Sequence, residues 1–210
     1  MSCRIAILAS GTGSNAAAIM DYFAMRPSTA QTAVVISDNP NAQVLEKAKQ
    51  RGVDAVCFLQ KDYTSKAAFE AAVLQALTDA GADFAALAGY MRLVGPTLLL
   101  PFLGRMVNIH PSLLPAFPGR SAIQDALAAG VRKTGITIHY VDSGLDTGPI
   151  IYQGVLSVMP EESEHSLTKR IHEMEHFSYP RIIHACVENR VCMQQESVIW
   201  RDKLLCECWS

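Results

Sequence analysis

Short apolar segments alternate with longer amphipathic segments along the first half of the chain, and this alternation restricts the possible folds more than any other feature. The apolar segments predict β-strands at residues 3–9, 32–38, 54–59, 83–89 and 104–109. Helices are predicted between them at 14–26, 41–52 and 64–81, and a short one near Pro96. Thr64 is the predicted N-cap of the helix at 64–81. Apolar strands separated by helices are typical of a Rossmann-like α/β fold, with a mostly parallel central sheet and helices on both faces.

The pattern changes after His110. A helix is predicted at 121–130, two strands separated by a tight loop at 134–143 and 148–158, and a long helix at 163–190. Strands joined so directly pair antiparallel, so we expect an antiparallel element in the C-terminal part. No linker or repeat interrupts the chain. We therefore expect a single domain over residues 1–210, with an N-terminal half of about residues 1–100 and a C-terminal half of about residues 101–210.

Composition and charge argue against several classes of protein. Half of the 210 residues are apolar, 18% are charged, and the formal net charge is −2. This balance favours a good core and offers no basic surface for nucleic acid or for a membrane. No apolar run is long enough to cross a bilayer and no signal-peptide pattern is present, so we expect a cytoplasmic protein. The six scattered cysteines are expected to be reduced, and the C-x-C of Cys206 and Cys208 is too isolated for a zinc site.

Three polar segments follow three of the predicted strands. Residues 10–15 follow the first strand, residues 89–92 follow the fourth, and Asn108 and His110 end the fifth. Because open α/β sheets bind ligands beyond the carboxyl ends of their strands, we expect these segments to meet at one edge of the sheet. Three prolines within 111–118 would stiffen the loop that follows His110.

The segment ASGTGSNAA at 9–17 is a glycine-rich turn from a strand into a helix. Its two glycines allow close approach of the backbone, and the amides of the helix N-terminus would face an anion such as a phosphate. The segment also matches the dinucleotide-binding pattern G-x-G-x-x-A, in which case Asp38 would bind a ribose. A purely structural turn is a third interpretation. The side chains of Ser14 and Asn15 favour a single terminal phosphate.

The segment HEMEH at 172–176 has the pattern of a zinc protease, with two histidines on one helical face and Glu173 as the base. The surrounding helix is highly charged, and no third ligand is evident downstream except His184 or Glu188. A solvated helix face is the simplest alternative. A further interpretation places Glu175 at the ligand-binding edge, where it would pair with a positively charged group of a substrate.

The segment TGITIHYVDSGLDTGPII at 134–151 carries a histidine within a strand and an acid on the loop that follows. A histidine in such a place, His139, is more often a hydrogen-bonded core residue than a catalyst. Asp146 differs, because Gly144 and Gly148 indicate a loop shaped to hold its carboxylate in one position. A carboxylate beside His110 would orient the imidazole and favour its cationic form.

The segments NIHPSLLPAFPG and GITIHYVDSGLDTGPII together resemble the folate-dependent formyltransferases, and ASGTGSN resembles the phosphate loop of one member of that family. The resemblance covers the whole chain. It implies the formyltransferase fold and transfer of the formyl group of 10-formyltetrahydrofolate, a co-substrate, to the terminal amine of 5'-phosphoribosylglycinamide in purine biosynthesis. It also implies small-molecule partners, no metal, and a monomer or a homodimer.

The resemblance also implies roles for individual residues. The catalytic residues would be Asn108, His110 and Asp146. The ribonucleotide would be bound by Gly13, Ser14, Asn15, Glu175 and His172. The folate would be bound by Lys66, Met91, Arg92, Leu93, Val94, Asn108, Asp142, Ser143, Gly144, Leu145 and Asp146. Two of these positions depart from the pattern, since Lys66 stands where the family commonly has Arg and His172 where some relatives have Gln.

The implied chemistry explains the polar end of the fifth strand. Attack of an amine on the formyl carbon produces a tetrahedral oxyanion, and a carboxamide and an imidazolium can stabilise it by ~3 kcal/mol per well-placed donor. Asp146 would hold His110 cationic and help relay a proton from the attacking amine to the leaving folate nitrogen. The prolines after His110 would reduce the reorganisation of the loop during the reaction.

Other functions remain open from the residues. Formyltetrahydrofolate deformylase uses a similar triad with water as the acceptor, but carries an N-terminal regulatory domain that we do not expect here. Methionyl-tRNA formyltransferase usually adds an RNA-binding domain and a basic surface. From other classes, a nicotinamide-dependent oxidoreductase and a non-catalytic nucleotide-binding module would both use the glycine-rich turn.

Overall fold

Seven strands form one sheet that runs through both halves of the chain. The computed structural model describes residues 2–195 and 197–201. The strands in chain order are β1 (Cys3–Leu8), β2 (Ala30–Ser37), β3 (Ala55–Cys57), β4 (Phe84–Leu87), β5 (Met106–His110), β6 (Lys133–Tyr140) and β7 (Ile150–Ser157). Their spatial order is β3-β2-β1-β4-β5-β6-β7. The first five strands run parallel to one another. β6 pairs antiparallel with β5 and, as the sequence predicts, with β7.

Helices cover both faces of this sheet. They are α1 (Ser14–Ala24), α2 (Gln43–Gln50), α3 (Lys66–Asp79), α4 (Pro96–Leu99), α5 (Ala122–Ala128) and α6 (Glu164–Val187), with 3-10 turns at Gln60–Asp62 and Leu100–Phe102. Successive residues of β1 point to opposite faces. Ile5 and Ile7 pack into a core with α1 and α6, whereas Ala6 and Leu8 pack into a second core with α3 and α4. Burial on both faces explains why the parallel strands are apolar throughout.

Two helices begin at a serine whose hydroxyl caps the first turn. Ser163 caps α6, because its Oγ accepts a hydrogen bond from the backbone N–H of Ser166 at 3.2 Å. Thr64 as the cap of α3 is wrong. The helix begins one residue later than that prediction requires, and the Oγ of Ser65 accepts from the N–H of Ala68 at 3.1 Å. Adjacent hydroxyl residues are equally suited to this position by chemistry, so the backbone geometry selects between them.

The C-terminal part contains a small hairpin that the sequence does not reveal. It consists of β8 (Val191–Gln194) and β9 (Ser197–Trp200), which pair antiparallel apart from the main sheet. The C-x-C of Cys206 and Cys208 lies outside the described residues. Within the described part of the chain, no helix combines the length and the apolar character needed to cross a membrane.

The order of the strands determines where a ligand can bind. β1 and β4 are neighbours at the centre of the sheet. The chain leads from β1 to β2, towards one edge, and from β4 to β5, towards the other edge. A crevice opens at such a switch point, beyond the carboxyl ends of the two strands. Tyr179 attaches α6 to β4 and β5, since its hydroxyl lies 2.8 Å from the carbonyl oxygen of Leu87 and 3.1 Å from that of Val107.

Candidate active site

A cavity of about 360 Å³ lies at this switch point, and the three segments expected at the sheet edge all line it. Residues 11–15 follow β1, residues 87–94 end and follow β4, and residues 108–111 end β5. The remaining walls come from the segment 139–146 and from α6. The predicted convergence of the strand ends is therefore confirmed.

His110 ends β5 with both ring nitrogens facing oxygen acceptors. Its side chain is buried, Nε2 donates to the carbonyl of Phe117 at 2.8 Å, and Nδ1 lies 3.4 Å from Oδ2 of Asp146. A neutral imidazole carries one proton and can donate to only one of these acceptors, whereas an imidazolium donates to both. Both contacts of His110 can therefore be hydrogen bonds at the same time only when each ring nitrogen carries a proton.

Asp146 lies on the loop between β6 and β7 and is held from several directions. Its Oδ2 accepts from the backbone N–H of Gly119 at 2.9 Å, and its Oδ1 accepts from Nδ2 of Asn108 at 3.4 Å. The residue adopts a left-handed backbone with φ of 54°. Such a conformation is uncommon for residues other than glycine, although aspartate adopts it more readily than most, and it is often found at functional sites. The three residues Asn108, His110 and Asp146 are thus brought together.

Two glycines shape the loop that carries Asp146. A Cβ at Gly144 would lie 2.0 Å from Oγ1 of Thr147, and a Cβ at Gly148 would lie 1.8 Å from the carbonyl oxygen of Tyr140. The hydroxyl of Thr147 bonds both carboxylate oxygens of Asp142, at 2.9 Å and 3.0 Å. The loop is therefore closed by its own side chains and leaves no room for larger residues at these two positions.

His139 also contributes to the cavity, although the sequence favours a core role for it. Antiparallel pairing sets it opposite Asn108, and its Nε2 lies 3.3 Å from Nδ2 of Asn108 and 3.8 Å from Oδ1 of Asp146. Its Nδ1 is 2.9 Å from the carbonyl of Tyr140, which accepts its proton. Burial, the largest cause, lowers the pKa of His139, so the ring is neutral and its Nε2 can accept from Asn108. The register of β5 against β6 places His139 here, and this register cannot be read from the sequence of either strand alone.

The loop after His110 is fixed by a buried hydroxyl as well as by prolines. Oγ1 of Thr137 donates to the carbonyl of Ser112 at 2.7 Å and accepts from the N–H of Leu114 at 3.0 Å. Nε2 of Gln153 bonds the same hydroxyl at 2.9 Å and the carbonyl of Leu114 at 2.8 Å. These bonds attach the loop to β6 and β7, so the position of His110 does not depend on the prolines alone.

The glycine-rich turn presents the N-terminus of α1 to the cavity. Gly13 has φ of 69°, and a Cβ there would lie 2.4 Å from Cγ2 of Val44, so only glycine fits between α1 and α2. Asn15 donates from Nδ2 to Oε2 of Glu175 at 2.8 Å. Glu175 is 4% exposed, and its burial, the largest cause, raises its pKa to about 7. A positive helix end and a carboxyl group thus lie side by side.

The HEMEH segment lies on α6 and reaches the cavity only in part. His172 lies at the rim of the cavity, and its ring stacks on that of His176 with centroids 6.0 Å apart. Desolvation lowers the pKa of both imidazoles. Among the described residues, no three His, Cys, Asp or Glu side chains are grouped so that they could hold a metal ion. The described part of the structure therefore provides no set of ligands for the zinc ion that this interpretation requires.

Most of the residues predicted to bind folate lie on the opposite wall. Met91, Leu93 and Leu145 are 50%, 49% and 59% exposed at the mouth of the cavity, which gives the entrance an apolar character. Asp142, Gly144, Arg92 and Val94 also line the cavity. Ser143 does not line it. Lys66 instead lines a neighbouring cavity of about 230 Å³, where its Nζ lies 3.6 Å from Oε1 of the buried Glu70.

Asp38 is not available as a ribose-binding acid. Its Oδ1 accepts from Oγ of Ser10 at 2.5 Å, and its Oδ2 lies 2.6 Å from Nε of Arg92. Both oxygens are therefore occupied by protein groups, and the glycine-rich turn lacks the acid that a dinucleotide site uses. Arg120 is a further wall residue that the sequence does not single out, and its Nη2 donates to the carbonyl of Met91 at 2.7 Å.

An amide, a buried imidazole and a carboxylate in one cavity with a helix N-terminus define an enzyme-like site for group transfer between small molecules. Comparison with known proteins agrees with this class. Residues 3–183 match the family model described as formyl transferase, and the chain belongs to this family.

Two relatives and one solved structure show how far the similarity extends. The chain is 44% identical over 180 residues to phosphoribosylglycinamide formyltransferase of Bacillus subtilis (strain 168), covering 86% of this chain and 92% of that protein. It superimposes with a TM-score of 0.92 and 42% identity on glycinamide ribonucleotide transformylase 1 from Symbiobacterium toebii, covering 96% and 95% of the two chains. It is also 40% identical over 197 residues to the trifunctional purine biosynthetic protein adenosine-3 of Drosophila melanogaster, covering 92% of this chain but 14% of that longer protein.

Proposed function

We propose that this protein transfers the formyl group of 10-formyltetrahydrofolate to the terminal amine of 5'-phosphoribosylglycinamide. The observation that carries the proposal is the contact of Asp146 with both Asn108 and His110 in the cavity that the glycine-rich turn also lines. The names of the similar proteins point to the same acceptor. Occupation of Asp38 by Ser10 and Arg92 argues against the dinucleotide alternative.

The ribonucleotide binds, in this proposal, along the wall formed by α1 and α6. Its phosphate accepts hydrogen bonds from Gly13, Ser14 and Asn15 at the N-terminus of α1, where unpaired amides and the helix dipole favour an anion. Glu175 then contacts the glycinamide side of the molecule, and His172 at the rim lies near the phosphate. The exposed position of His172 and the contact between Asn15 and Glu175 support this orientation.

The folate binds along the wall formed by Met91–Val94 and the loop 142–146. The apolar side chains at the mouth suit the aromatic parts of the donor, and the backbone of these segments can bind its polar edges. Lys66 and the second cavity lie beyond Met91–Val94, which suits the acidic tail of the folate. Nζ of Lys66 lies 3.6 Å from Oε1 of Glu70, so the carboxylate orients the lysine and partly neutralises its charge.

The transfer follows from these positions. The neutral amine attacks the formyl carbon, a carbon–nitrogen bond forms, and the carbonyl oxygen becomes an oxyanion. Nδ2 of Asn108 stabilises that charge by ~3 kcal/mol. His110 contributes when one of its ring N–H groups exchanges its present acceptor, Phe117 or Asp146, for the oxyanion. The bond to the folate nitrogen then breaks, and this nitrogen takes up a proton in place of the one that the amine loses. Asp146, whose Oδ2 lies 3.4 Å from Nδ1 of His110, orients the imidazole and assists this proton transfer.

A formyl donor labelled with ¹³C tests the proposal. Incubation with 5'-phosphoribosylglycinamide should place the label in the ribonucleotide, which mass spectrometry of the separated products detects. Label recovered only as free formate would identify water as the acceptor and would replace the proposal with the deformylase alternative.

A further inference from the structure

Ser10, Asp38 and Arg92 form a chain of polar contacts that joins the two walls of the candidate active site. Oγ of Ser10 donates to Oδ1 of Asp38 at 2.5 Å and accepts from the backbone N–H of Met91 at 2.9 Å. Oδ2 of Asp38 lies 2.6 Å from Nε of Arg92. One carboxylate, with its side chain 9% exposed, therefore connects the end of β1 to the segment that follows β4.

We propose that Asp38 is a positioning residue that holds segment 91–94 in the shape required to bind the folate. This inference rests on the proposed function. Segment 91–94 forms the wall shared by the main cavity and the cavity beside Lys66, so its backbone would lie along the donor. Asp38 itself does not line either cavity, and it acts through Ser10 and Arg92.

The contacts leave segment 91–94 little freedom at its start. The N–H of Met91 is bound by Ser10 and its carbonyl by Arg120. The guanidinium of Arg92 bonds the side-chain oxygen of Gln60 and lies over the ring of Phe69, 5.4 Å from its centroid. Removing the charge of Asp38 would leave Arg92 partly buried without its counter-ion, a change that strongly favours another position for the arginine.

The phosphate-binding side of the cavity does not depend on Asp38 in the same way. Gly13 is fixed by its contact with Val44 and by the hydrogen bond from the N–H of Ala17 to its carbonyl at 2.9 Å. Asn15 is fixed by Glu175. Loss of the carboxylate at Asp38 should therefore weaken binding of the folate selectively and leave binding of the ribonucleotide nearly unchanged.

Calorimetric titration of the intact protein tests this selectivity, with tetrahydrofolate as one probe and 5'-phosphoribosylglycinamide as the other. Asp38→Asn keeps the shape and an acceptor for Ser10, and Ser10→Ala removes the link to Met91. Both should weaken tetrahydrofolate binding by about tenfold and change ribonucleotide binding by less than about twofold. The KM for the formyl donor should rise similarly, while kcat at saturating donor stays within about threefold. Asp21→Asn, which breaks the exposed pair with Arg51 on the protein surface, should change neither.

The double variant gives a further readout that a general loss of stability would not produce. Because Ser10 and Asp38 act through one chain of contacts, the double variant should bind tetrahydrofolate little worse than Asp38→Asn alone. Wild-type affinity for tetrahydrofolate in folded Asp38→Asn, or equal weakening of both ligands, would overturn the inference. If Asp38→Asn does not fold, Ser10→Ala decides by the same criteria. A wild-type protein that binds no tetrahydrofolate would instead contradict the proposed function itself.

Discussion

Nδ1 of His110 lies 3.4 Å from Oδ2 of Asp146, while Nε2 of the same ring donates to the carbonyl of Phe117 at 2.8 Å. The first residue ends β5 and the second lies on the loop after β6, so the contact depends on the antiparallel pairing of these strands. Asn108 lies beside this pair, with its Nδ2 3.4 Å from Oδ1 of Asp146. The proposed chemistry depends on this arrangement.

Asp146→Asn should lower kcat by about 10²-fold, because an amide cannot take part in proton transfer and cannot orient the ring of His110 as a carboxylate does. The affinity for 5'-phosphoribosylglycinamide should stay within about twofold, since the glycine-rich turn proposed to bind its phosphate is on another wall. Steady-state kinetics and titration of the ribonucleotide measure the two effects. Turnover equal to that of the wild type would refute the catalytic assignment.

Gly13→Ala should destabilise the protein and weaken ribonucleotide binding together. The new methyl group would clash with Val44, and the left-handed backbone would add roughly 1 kcal/mol of strain. Gly130→Ala is the matched control, because φ there is also positive, at 64°, and nothing lies within 4 Å of the added Cβ. Chemical unfolding should show a clearly larger decrease in the free energy of unfolding for Gly13→Ala than for Gly130→Ala. Equal losses in the two variants would mean that contact with Val44 does not restrict this position.

Glu175→Gln should change the pH dependence of stability. Burial raises the pKa of Glu175 from 4.5 to about 7, so between these values the folded protein holds a proton that the unfolded chain has released. The free energy of unfolding therefore falls as the pH rises through this window, by on the order of 3 kcal/mol in total. The glutamine variant cannot titrate and should lose this contribution.

Urea unfolding at about pH 5 and about pH 8 measures the effect of Glu175. Glu173→Gln, at an exposed position on the same helix, should keep the wild-type dependence. An unchanged pH dependence in Glu175→Gln would show that Glu175 is already ionised in the folded protein at low pH.

Thr137→Val should destabilise the protein by about 1–3 kcal/mol, because it leaves buried groups of Ser112 and Leu114 without their partner. The loop after His110 should loosen, so kcat should fall as well. Thr134→Val on the same strand is the control. Thr134 is 1% exposed, and its Oγ1 lacks a hydrogen-bond partner within the described residues, so loss of that hydroxyl should be nearly neutral. Thermal unfolding distinguishes the pair, and equal effects would contradict the role given to Thr137.

Much of the fold follows from local patterns in the sequence. Apolar strands separated by helices predict the parallel sheet, and polar residues after β1, β4 and β5 predict where its ligand-binding edge lies. Asn108 and His110 stand out because polar side chains at the end of an apolar strand need partners. These inferences succeed because each depends on residues close together in the chain.

Features that depend on distant residues could not be predicted in this way. His139 joins Asn108 only through the register of β5 and β6, and Arg120 joins the cavity through the carbonyl of Met91. Asp38 looks like a ribose-binding acid until its contacts with Ser10 and Arg92 are known. The hairpin of β8 and β9 is too short to give a clear alternation of apolar and polar residues.

The most direct test of the account follows tetrahydrofolate release from 10-formyltetrahydrofolate by absorbance, with and without 5'-phosphoribosylglycinamide. The account predicts release that requires the ribonucleotide and that falls by about 10²-fold or more in His110→Ala. Release at the same rate without the ribonucleotide, or undiminished release in His110→Ala, would contradict it.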